Sequence, residues 1–203
     1  MTTQTHQHGN RPHHDWQSAT YVQEWIDGDV TKDSERVPVL RGMLALPDLS
    51  PDAHLQVLDV GAGYGIVSRV VLETFPNARV TLQDFSQPML DQSKRRLAEF
   101  ADRMSFVLAD LTDPAWTERA GGPFDLAVSA IAIHNLGVAE RIAPVYKGVF
   151  KVLKPGGAFL DSDYVFAGGL EGHVRWLEEA GFARVSARLE NERLAVMAAY
   201  LPD

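Results

Sequence analysis

The sequence contains no cysteine among its 203 residues. Disulfide bonds, zinc sites built on thiolates and cysteine-bound iron–sulfur clusters are therefore excluded. A cysteine nucleophile is excluded for the same reason. Any chemistry that this chain performs must come from carboxylates, imidazoles, amines, hydroxyls and backbone groups.

Positively charged residues are fewer than negatively charged ones. Lysine and arginine together number 19, against 27 aspartates and glutamates, and the formal net charge is -8. Binding to a nucleic-acid backbone relies on Lys and Arg that replace condensed counterions. Because the chain also lacks a basic block, we expect a small-molecule substrate and no nucleic-acid partner.

Long apolar runs are absent as well. No stretch approaches the ~20 residues that a membrane span needs, and no apolar segment lies between a basic start and a cleavage site, as in a signal peptide. These absences predict a cytoplasmic protein with no membrane partner. Hydrophobic residues still make up 45% of the chain, which suits one domain with a real core. The oligomeric state is left open, with a homodimer as one alternative.

The N-terminal region divides into a tail and a helical cap. Residues 1–15 are polar and carry four histidines, namely His6, His8, His13 and His14. A metal-binding tail is one interpretation of them, and we predict a flexible tail instead. Residues 16–203 are predicted to form a single domain. Its first part, residues 16–50, is predicted to be a helical cap because apolar side chains recur there at 3.6-residue spacing.

From residue 55 to residue 203, strands alternate with helices. The predicted strands are Gln56–Val60, Arg79–Asp84, Met104–Leu108, Phe124–Ser129, Gly157–Val165, Ala183–Leu189 and Leu194–Leu201. The predicted helices are Tyr64–Thr74, Pro88–Phe100, Ala139–Leu153 (broken at Pro144) and Leu170–Ala180. The turn before the last strand is too short for a crossover, so the final pair must be an antiparallel hairpin. This alternation predicts an α/β fold with a doubly wound, mostly parallel seven-stranded sheet.

A glycine-rich segment follows the first predicted strand. It runs Asp59-Val60-Gly61-Ala62-Gly63-Tyr64-Gly65 and leads into a helix. Glycines let the backbone turn sharply and let a ligand approach closely, at the sheet edge where open α/β folds bind ligands. A dinucleotide-binding loop would need its third glycine at position 66, where this chain has Ile66. On this motif alone, a tight turn without a ligand remains an alternative.

Two carboxylates follow the next two strands. Asp84 ends the second strand, where a carboxylate can accept hydrogen bonds from both hydroxyls of a ribose. The alternatives for Asp84 are a solvated strand end or a helix N-cap. Asp110 follows the third strand, where an Asx turn is the alternative to a ligand contact.

The pattern Asp59-x-Gly61-x-Gly63-x-Gly65 resembles the first motif of the class I S-adenosylmethionine-dependent methyltransferases. Four further segments agree in order: Asp84, Asp110, the run from Phe124 to Leu136, and Leu153-Lys154-Pro155-Gly156-Gly157. The resemblance covers about residues 55–200 and favours the small-molecule branch, in which a His often follows the fourth strand. The run after that strand does not resemble the Asn/Asp-Pro-Pro-aromatic motif of enzymes that methylate adenine in DNA. The resemblance implies a Rossmann-like fold and S-adenosyl-L-methionine as the cofactor.

The resemblance also implies which residues bind the cofactor. They are Asp59, Gly61, Ala62, Gly63, Gly65, Asp84, Phe85, Met89, Asp110, Leu111, Ser129 and Ala130. Asp84 would bind the ribose, Asp110 would lie by the adenine amino group, and the backbone of Ser129 and Ala130 would face the methionine part. Phe85 and Met89 would pack on the adenine, although core packing is an equal alternative for Met89.

Candidate residues for the acceptor side are fewer. His134 lies just past a strand end and can change charge near neutral pH, so it is the candidate general base; a loop-capping or solvent-facing histidine is the alternative. Asp161 and Asp163 share one face of the fifth strand and are candidate substrate ligands, or simply a polar strand end. Two carboxylates do not make a metal site, so no metal is predicted. Tyr21 and Trp25 share one helix face and either close over the site or form a core stripe.

The segment after the fifth strand departs from the family. Many small-molecule members carry an extra helical segment there, and this chain has only Phe166 to Gly169. Cover for the substrate must then come from the N-terminal cap or from a partner chain. A non-catalytic module that binds S-adenosylmethionine or S-adenosylhomocysteine and regulates a partner is therefore an alternative function. A nicotinamide-dependent oxidoreductase is a second alternative, against which Ile66 argues.

Overall fold

The computed structural model describes residues 14–202. His6, His8 and His13, on which the tail prediction rests, lie outside the described residues. His14 lies within them, and its ring stacks on Trp16 with the ring centroids 5.2 Å apart.

Residues 16–50, which we call the cap, contain two helices. α1 spans Ala19–Asp29 and begins at Ser18, whose side chain accepts a hydrogen bond from the Tyr21 N–H. A short 3-10 turn leads to α2, which spans Asp33–Leu44. Apolar side chains of both helices, such as Ile26 and Leu40, are buried against the rest of the chain. The predicted helical pattern of this segment is therefore confirmed, whereas its status as a cap on one domain stays a prediction.

Seven strands form one sheet. They are β1 (Gln56–Val60), β2 (Arg79–Asp84), β3 (Met104–Leu108), β4 (Phe124–Ala130), β5 (Leu153–Tyr164), β6 (Arg184–Leu189) and β7 (Leu194–Tyr200). Their order is β3-β2-β1-β4-β5-β7-β6. The first five strands are parallel, and β7 lies antiparallel between β5 and β6. The predicted fold class, including the terminal hairpin, is confirmed.

Helices cover both faces of the sheet. After the cap they are α3 (Ile66–Thr74), α4 (Gln87–Arg96), α5 (Trp116–Ala120), α6 (Ala139–Val152) and α7 (Gly169–Ala180). One core cluster joins α2, α3 and α4 to the sheet, and a second joins α5, α6 and α7 to its other face. Within residues 14–202, no helix is both long enough and apolar enough to cross a membrane.

Several predicted boundaries were wrong, each for a local reason. The helix predicted from Tyr64 begins only at Ile66, because Gly65 has a φ of +88°. The helix predicted to reach Phe100 ends at Arg96 and is followed by a 3-10 segment. Pro144 does not break α6, since losing one backbone hydrogen bond is tolerated in a helix whose apolar face is buried.

Two elements differ in kind from the prediction. α5 lies in a segment for which no element was predicted; Trp116 is only 2% exposed and anchors this short helix. β5 begins at Leu153 rather than Gly157, because Leu153 already pairs with Phe124 before a register shift in the ladder.

Candidate active site

The glycine loop, residues 61–65, links β1 to α3. Gly61, Gly63 and Gly65 have φ values of +68°, +53° and +88°, a region that other residues enter only with strain. The Gly63 N–H donates to Asp84 Oδ2 over 2.9 Å, and the Ala62 N–H donates to the Gln83 carbonyl over 2.8 Å. The loop is therefore held against the carboxyl end of β2.

A cavity of about 830 Å³ opens at this edge of the sheet. That volume lies within the range of small-molecule and cofactor sites. Nine of the predicted cofactor residues line it, namely Gly61, Ala62, Gly63, Asp84, Phe85, Met89, Asp110, Leu111 and Ala130. The candidate base His134 and the cap residue Trp25 line it too. One cavity thus contains predicted cofactor-binding residues together with candidate residues for the acceptor side.

Six predicted site residues do not line the cavity, namely Tyr21, Asp59, Gly65, Ser129, Asp161 and Asp163. Several of them support the walls instead. Ser129 Oγ donates to the Val60 carbonyl over 2.9 Å and so fixes β4 to β1 below the glycine loop. Tyr21 packs on Trp16 from outside, with the ring centroids 5.5 Å apart.

Asp59 lies fully buried behind the glycine loop. Its Oδ2 accepts hydrogen bonds from the Ser68 N–H at 3.1 Å and the Ser68 hydroxyl at 2.6 Å, which lock α3 to β1. Its Oδ1 has no hydrogen-bond partner among residues 14–202. Burial raises the pKa of Asp59 to about 7, although the bonds from Ser68 lower it.

This raised pKa predicts a pH-dependent stability. The folded state binds the Asp59 proton more tightly than the unfolded state, so the free energy of unfolding falls as pH rises from about 4 to about 7. We expect Asp59→Asn, which cannot ionise, to be more stable than wild type at pH 8 by about 3 kcal/mol. The two proteins should have similar stability at pH 4.5. Urea unfolding at both pH values measures this difference.

An exposed aspartate gives the control for that experiment. Asp102→Asn removes the same charge at an exposed position and should leave the stability difference between pH 4.5 and pH 8 unchanged. Equal stability of Asp59→Asn and wild type at pH 8 would contradict the prediction.

Asp84 presents a carboxylate at the cavity wall. Its side chain is nearly buried, with Oδ1 accepting from the Ser86 N–H at 2.8 Å and Oδ2 from the Gly63 N–H. Burial raises its pKa, while these backbone donors lower it. Asp84 is therefore neither a solvated strand end nor the N-cap of α4, which is Ser86. It lines the cavity, and its role as a ribose ligand stays a prediction.

Asp110 stabilises the turn in which it lies. Its Oδ1 accepts from both the N–H and the hydroxyl of Thr112, each over 2.8 Å, which is the Asx turn considered above. The residue nevertheless lines the cavity beside Leu111, and its Oδ2 makes no hydrogen bond within residues 14–202. An Asx turn and a ligand contact are therefore compatible at this position.

Gln83 is a site residue that sequence reasoning missed. It is 1% exposed; its Oε1 accepts from the Gly61 N–H over 3.0 Å, and its Nε2 donates to the Ala109 carbonyl over 2.6 Å. One side chain thereby fixes the glycine loop relative to the end of β3. The signal was a glutamine at the carboxyl end of β2, directly before Asp84.

The cap is tied to the glycine loop by an ionic network that the sequence did not reveal. The Arg36 guanidinium donates to both carboxylate oxygens of Asp29, with Nη2 to Oδ1 at 2.9 Å, and to the Tyr64 hydroxyl at 3.2 Å. The Tyr64 hydroxyl donates to Asp33 Oδ1 at 2.6 Å. Its position between two loop glycines makes Tyr64 the link between cap and loop.

Three further hydrogen bonds join the cap to the end of β2 and to α4. They run from Gln17 Nε2 to the Phe85 carbonyl, from Ser86 Oγ to the Trp16 carbonyl, and from Gln92 Nε2 to Gln23 Oε1. Trp16 and Trp25, whose rings meet edge to face, line the cavity beneath the cap. The cap therefore covers the part of the cavity next to Asp84.

The opposite part of the cavity holds His134, in the short 3-10 turn after β4. Its Nδ1 lies 2.6 Å from Asp163 Oδ1, and its backbone N–H donates to Asp163 Oδ2 over 2.9 Å. Asp163 is 1% exposed and faces away from the cavity, so it reaches His134 from behind. Tyr164, on the other face of β5, lines the cavity and meets the His134 ring edge to face at 5.2 Å.

Asp161 lies two residues before Asp163 on the same face of β5. It is fully buried, and neither carboxylate oxygen has a hydrogen-bond partner within residues 14–202. Burial and the charge of Asp163 raise the pKa of Asp161 well above its usual range. No cluster of three or more potential metal ligands occurs in the described part of the chain.

Comparison with known proteins gives a consistent pattern. A family model described as a methyltransferase domain matches residues 57–157. Trans-aconitate 2-methyltransferase of Paracidovorax citrulli is 32% identical over 144 residues, which cover 71% of this chain and 48% of that protein. Demethylmenaquinone methyltransferase of Leptospira interrogans is 32% identical over 136 residues, which cover 65% and 51%. The chain thus spans about half the length of these two relatives.

Solved structures share the architecture. An O-methyltransferase family protein from Burkholderia thailandensis matches with a TM-score of 0.75 and 18% identity, over 90% of this chain and 60% of that one. Human N-acetylserotonin methyltransferase in complex with SAM matches with a TM-score of 0.70 and 15% identity, over 93% and 58%. At such low identity, these likenesses show a common fold.

Proposed function

Because the chain belongs to the class I S-adenosylmethionine-dependent methyltransferase family, we propose that it transfers a methyl group from S-adenosylmethionine to a small-molecule acceptor. One observation carries the proposal: a single cavity contains the glycine loop, the carboxylate of Asp84 and the imidazole of His134. The names of the two relatives above, which act on trans-aconitate and on demethylmenaquinone, support a small acceptor.

The cavity fits this cofactor in two respects. An added Cβ at Gly63 would meet nothing within 4 Å, so the loop leaves open space where a ligand can approach the backbone. Asp84 offers a nearly buried carboxylate at the same wall, which suits a pair of ribose hydroxyls. Asp110 and Leu111 would then lie by the adenine, and the glycine loop and Ala130 by the methionine part.

The proposed reaction places modest demands on the protein. When bound, S-adenosylmethionine supplies an electrophilic methyl group on a positively charged sulfur. The cap, through Trp16 and Trp25, excludes water from the cofactor part of the cavity, and alignment of the reactants contributes several kcal/mol, about 7 in good cases. His134 lines the cavity, where it can take up the proton that a hydroxyl or amine loses when it is methylated.

Calorimetric titration with S-adenosylmethionine, S-adenosylhomocysteine and NAD tests the cofactor assignment. We expect both adenosyl compounds to bind and NAD not to bind. Binding of NAD alone, or of none of the three, would overturn the proposal. Tight binding of both adenosyl compounds, with no methyl transfer to a broad panel of hydroxyl, amine and carbon acceptors, would replace it with a regulatory binding module.

A further inference from the structure

Few lysines and arginines line the cavity. Within residues 14–202 they are Lys32, Arg36 and Arg141. Arg36 donates to both carboxylate oxygens of Asp29, and Lys32 Nζ lies 3.4 Å from Asp29 Oδ1, so the cap pairs these two cations itself. The Arg141 side chain makes no hydrogen bond and no ion pair within residues 14–202. The cavity wall therefore contains a guanidinium that no carboxylate of the described chain neutralises.

Arg141 lies at the acceptor part of the cavity, by which we mean the part that holds His134. It is the third residue of α6, and only two residues separate that helix from the 3-10 turn Ile133–Leu136, which carries His134. The ring of Tyr164, which contacts the His134 ring, lines the cavity beside this turn. The unpaired cation thus belongs to the part of the cavity opposite the one that the cap covers.

The turn between β6 and β7 borders the same part. Leu194 lies opposite Tyr164 in the β5–β7 ladder, and Glu190 and Asn191 of the turn line the cavity with it. Glu190 could in principle neutralise a cation here. Its Oε1 lies instead 2.7 Å from Arg188 Nε, which forms its ion pair. The carboxylate of this turn is therefore paired and leaves the guanidinium without a partner.

The acceptor part also offers uncharged hydrogen-bond donors. The hydroxyls of Ser162 and Tyr164 make no hydrogen bond within residues 14–202, and both residues line the cavity. Asn191 Oδ1 accepts the backbone N–H groups of Arg193 and Leu194, each over 3.0 Å, which leaves its Nδ2 donors for a ligand. A ligand group that only accepts hydrogen bonds and carries negative charge complements such a set. A carboxylate is such a group, and a guanidinium can bind it through two parallel hydrogen bonds.

We infer that Arg141 is a specificity-determining residue, which selects acceptors that carry a carboxylate. The inference rests on the proposed methyltransferase function and names its acceptor class. A single guanidinium matches the single charge of a carboxylate, whereas a phosphate group, with a charge of about -1.5 to -2, would call for a second cation. The net charge of -8 repels anions in general, so a local cation is needed to admit one.

Pairs of ligands that differ in charge but not in shape test this preference. We use 3,4-dihydroxybenzoate with 3,4-dihydroxybenzamide, and glutarate with glutaramide, each titrated by calorimetry into protein saturated with S-adenosylhomocysteine. We expect the acid to bind at least about tenfold more tightly than its amide in one pair or both. Equal affinities within both pairs, or no binding of either acid, would overturn the inference.

Arg141→Met removes the charge and keeps the length of the side chain. We expect its acid and amide to bind equally, and its Kd for S-adenosylhomocysteine to stay within about twofold of wild type. Arg141→Lys keeps the charge without the two parallel donors, so its preference should be intermediate. Arg95→Met is the matched control, since Arg95 is an exposed helical arginine that makes no ion pair within residues 14–202 and does not line the cavity. It should keep the wild-type preference.

Salt provides a readout that packing alone would not change. Raising the ionic strength from about 0.1 M to about 1 M shortens the screening length from about 10 Å to about 3 Å. The acid preference of wild type should fall, and that of Arg141→Met should not change. A preference that persists in Arg141→Met would overturn the role of this residue and leave the cofactor assignment standing. Failure of wild type to bind S-adenosylhomocysteine would instead refute the proposed function.

Discussion

Replacing Asp84 by alanine is expected to weaken S-adenosylmethionine binding by about 100-fold. Hydrogen bonds to a charged group contribute about 1.5–3 kcal/mol each, and 2.7 kcal/mol corresponds to a factor of about 100 in Kd. The substitution also frees the Gly63 N–H, which loses its partner at 2.9 Å and loosens the glycine loop. Titration calorimetry of the purified variant measures the change directly.

Two companions separate the ribose contact from general damage. Asp84→Asn keeps the shape and one acceptor oxygen, so its affinity should fall between that of wild type and that of Asp84→Ala. Asp27→Ala removes an exposed carboxylate of α1 that lies outside the cavity and should bind like wild type. Wild-type affinity in a folded Asp84→Ala protein would mean that the ribose does not lie at the end of β2.

A second large effect is expected within the glycine loop, where two similar substitutions should fail in different ways. Gly61→Ala forces a side chain onto a φ of +68° and places its Cβ 2.6 Å from the Ala132 Cβ. Strain of about 1–2 kcal/mol and overpacking of about 1–3 kcal/mol together predict a loss of roughly 2–5 kcal/mol in the free energy of unfolding. Urea unfolding measures this loss.

Gly63→Ala is the counterpart. It shares the positive φ, at +53°, but its Cβ would meet nothing within 4 Å. We expect a stability loss of only about 1–2 kcal/mol together with at least a tenfold loss of cofactor affinity, since the new methyl group occupies cavity space and each factor of ten needs only about 1.4 kcal/mol. Equal unfolding energies for the two variants, or undiminished affinity in Gly63→Ala, would contradict this account of the loop.

The sheet was largely predictable from the sequence because its strands are short, apolar and bounded by punctuating residues. The predicted limits of β1 and β2, Gln56–Val60 and Arg79–Asp84, match the structure. The boundaries that failed depend on single backbone angles, such as the φ of Gly65, or on the burial of one side chain, Trp116. Neither quantity can be obtained from periodicity.

The cavity wall was predictable in part. Glycines and aspartates at strand ends, such as Gly63 and Asp84, were predicted because a parallel sheet brings its carboxyl ends to one edge. The predicted roles of these residues as cofactor ligands remain predictions. Asp59 illustrates the limit of motif reasoning, since it belongs to the glycine motif yet contacts Ser68 behind the loop and not the cavity.

Contacts between distant segments were not predictable. Arg36 and Tyr64 are 28 positions apart, and their pairing depends on how α2 crosses the glycine loop. Asp163 was predicted, from its position on β5, to be either a substrate ligand or a polar strand end. It meets His134 instead because the chain turns sharply at Ile131, a non-glycine residue with a φ of +50°. Side-chain alternation along one strand does not reveal what the neighbouring loop brings to it.

The attachment of the cap bears on the kinetics of turnover. Arg36, Tyr64 and the hydrogen bonds around Phe85 hold the cap over the Asp84 end of the cavity, whereas His134 and Tyr164 at the other end make no hydrogen bond to the cap within residues 14–202. Under the proposed function, we expect the methylated acceptor to leave while the cap stays in place, and the spent cofactor to leave only when these contacts open. We therefore expect ordered release, with S-adenosylhomocysteine last.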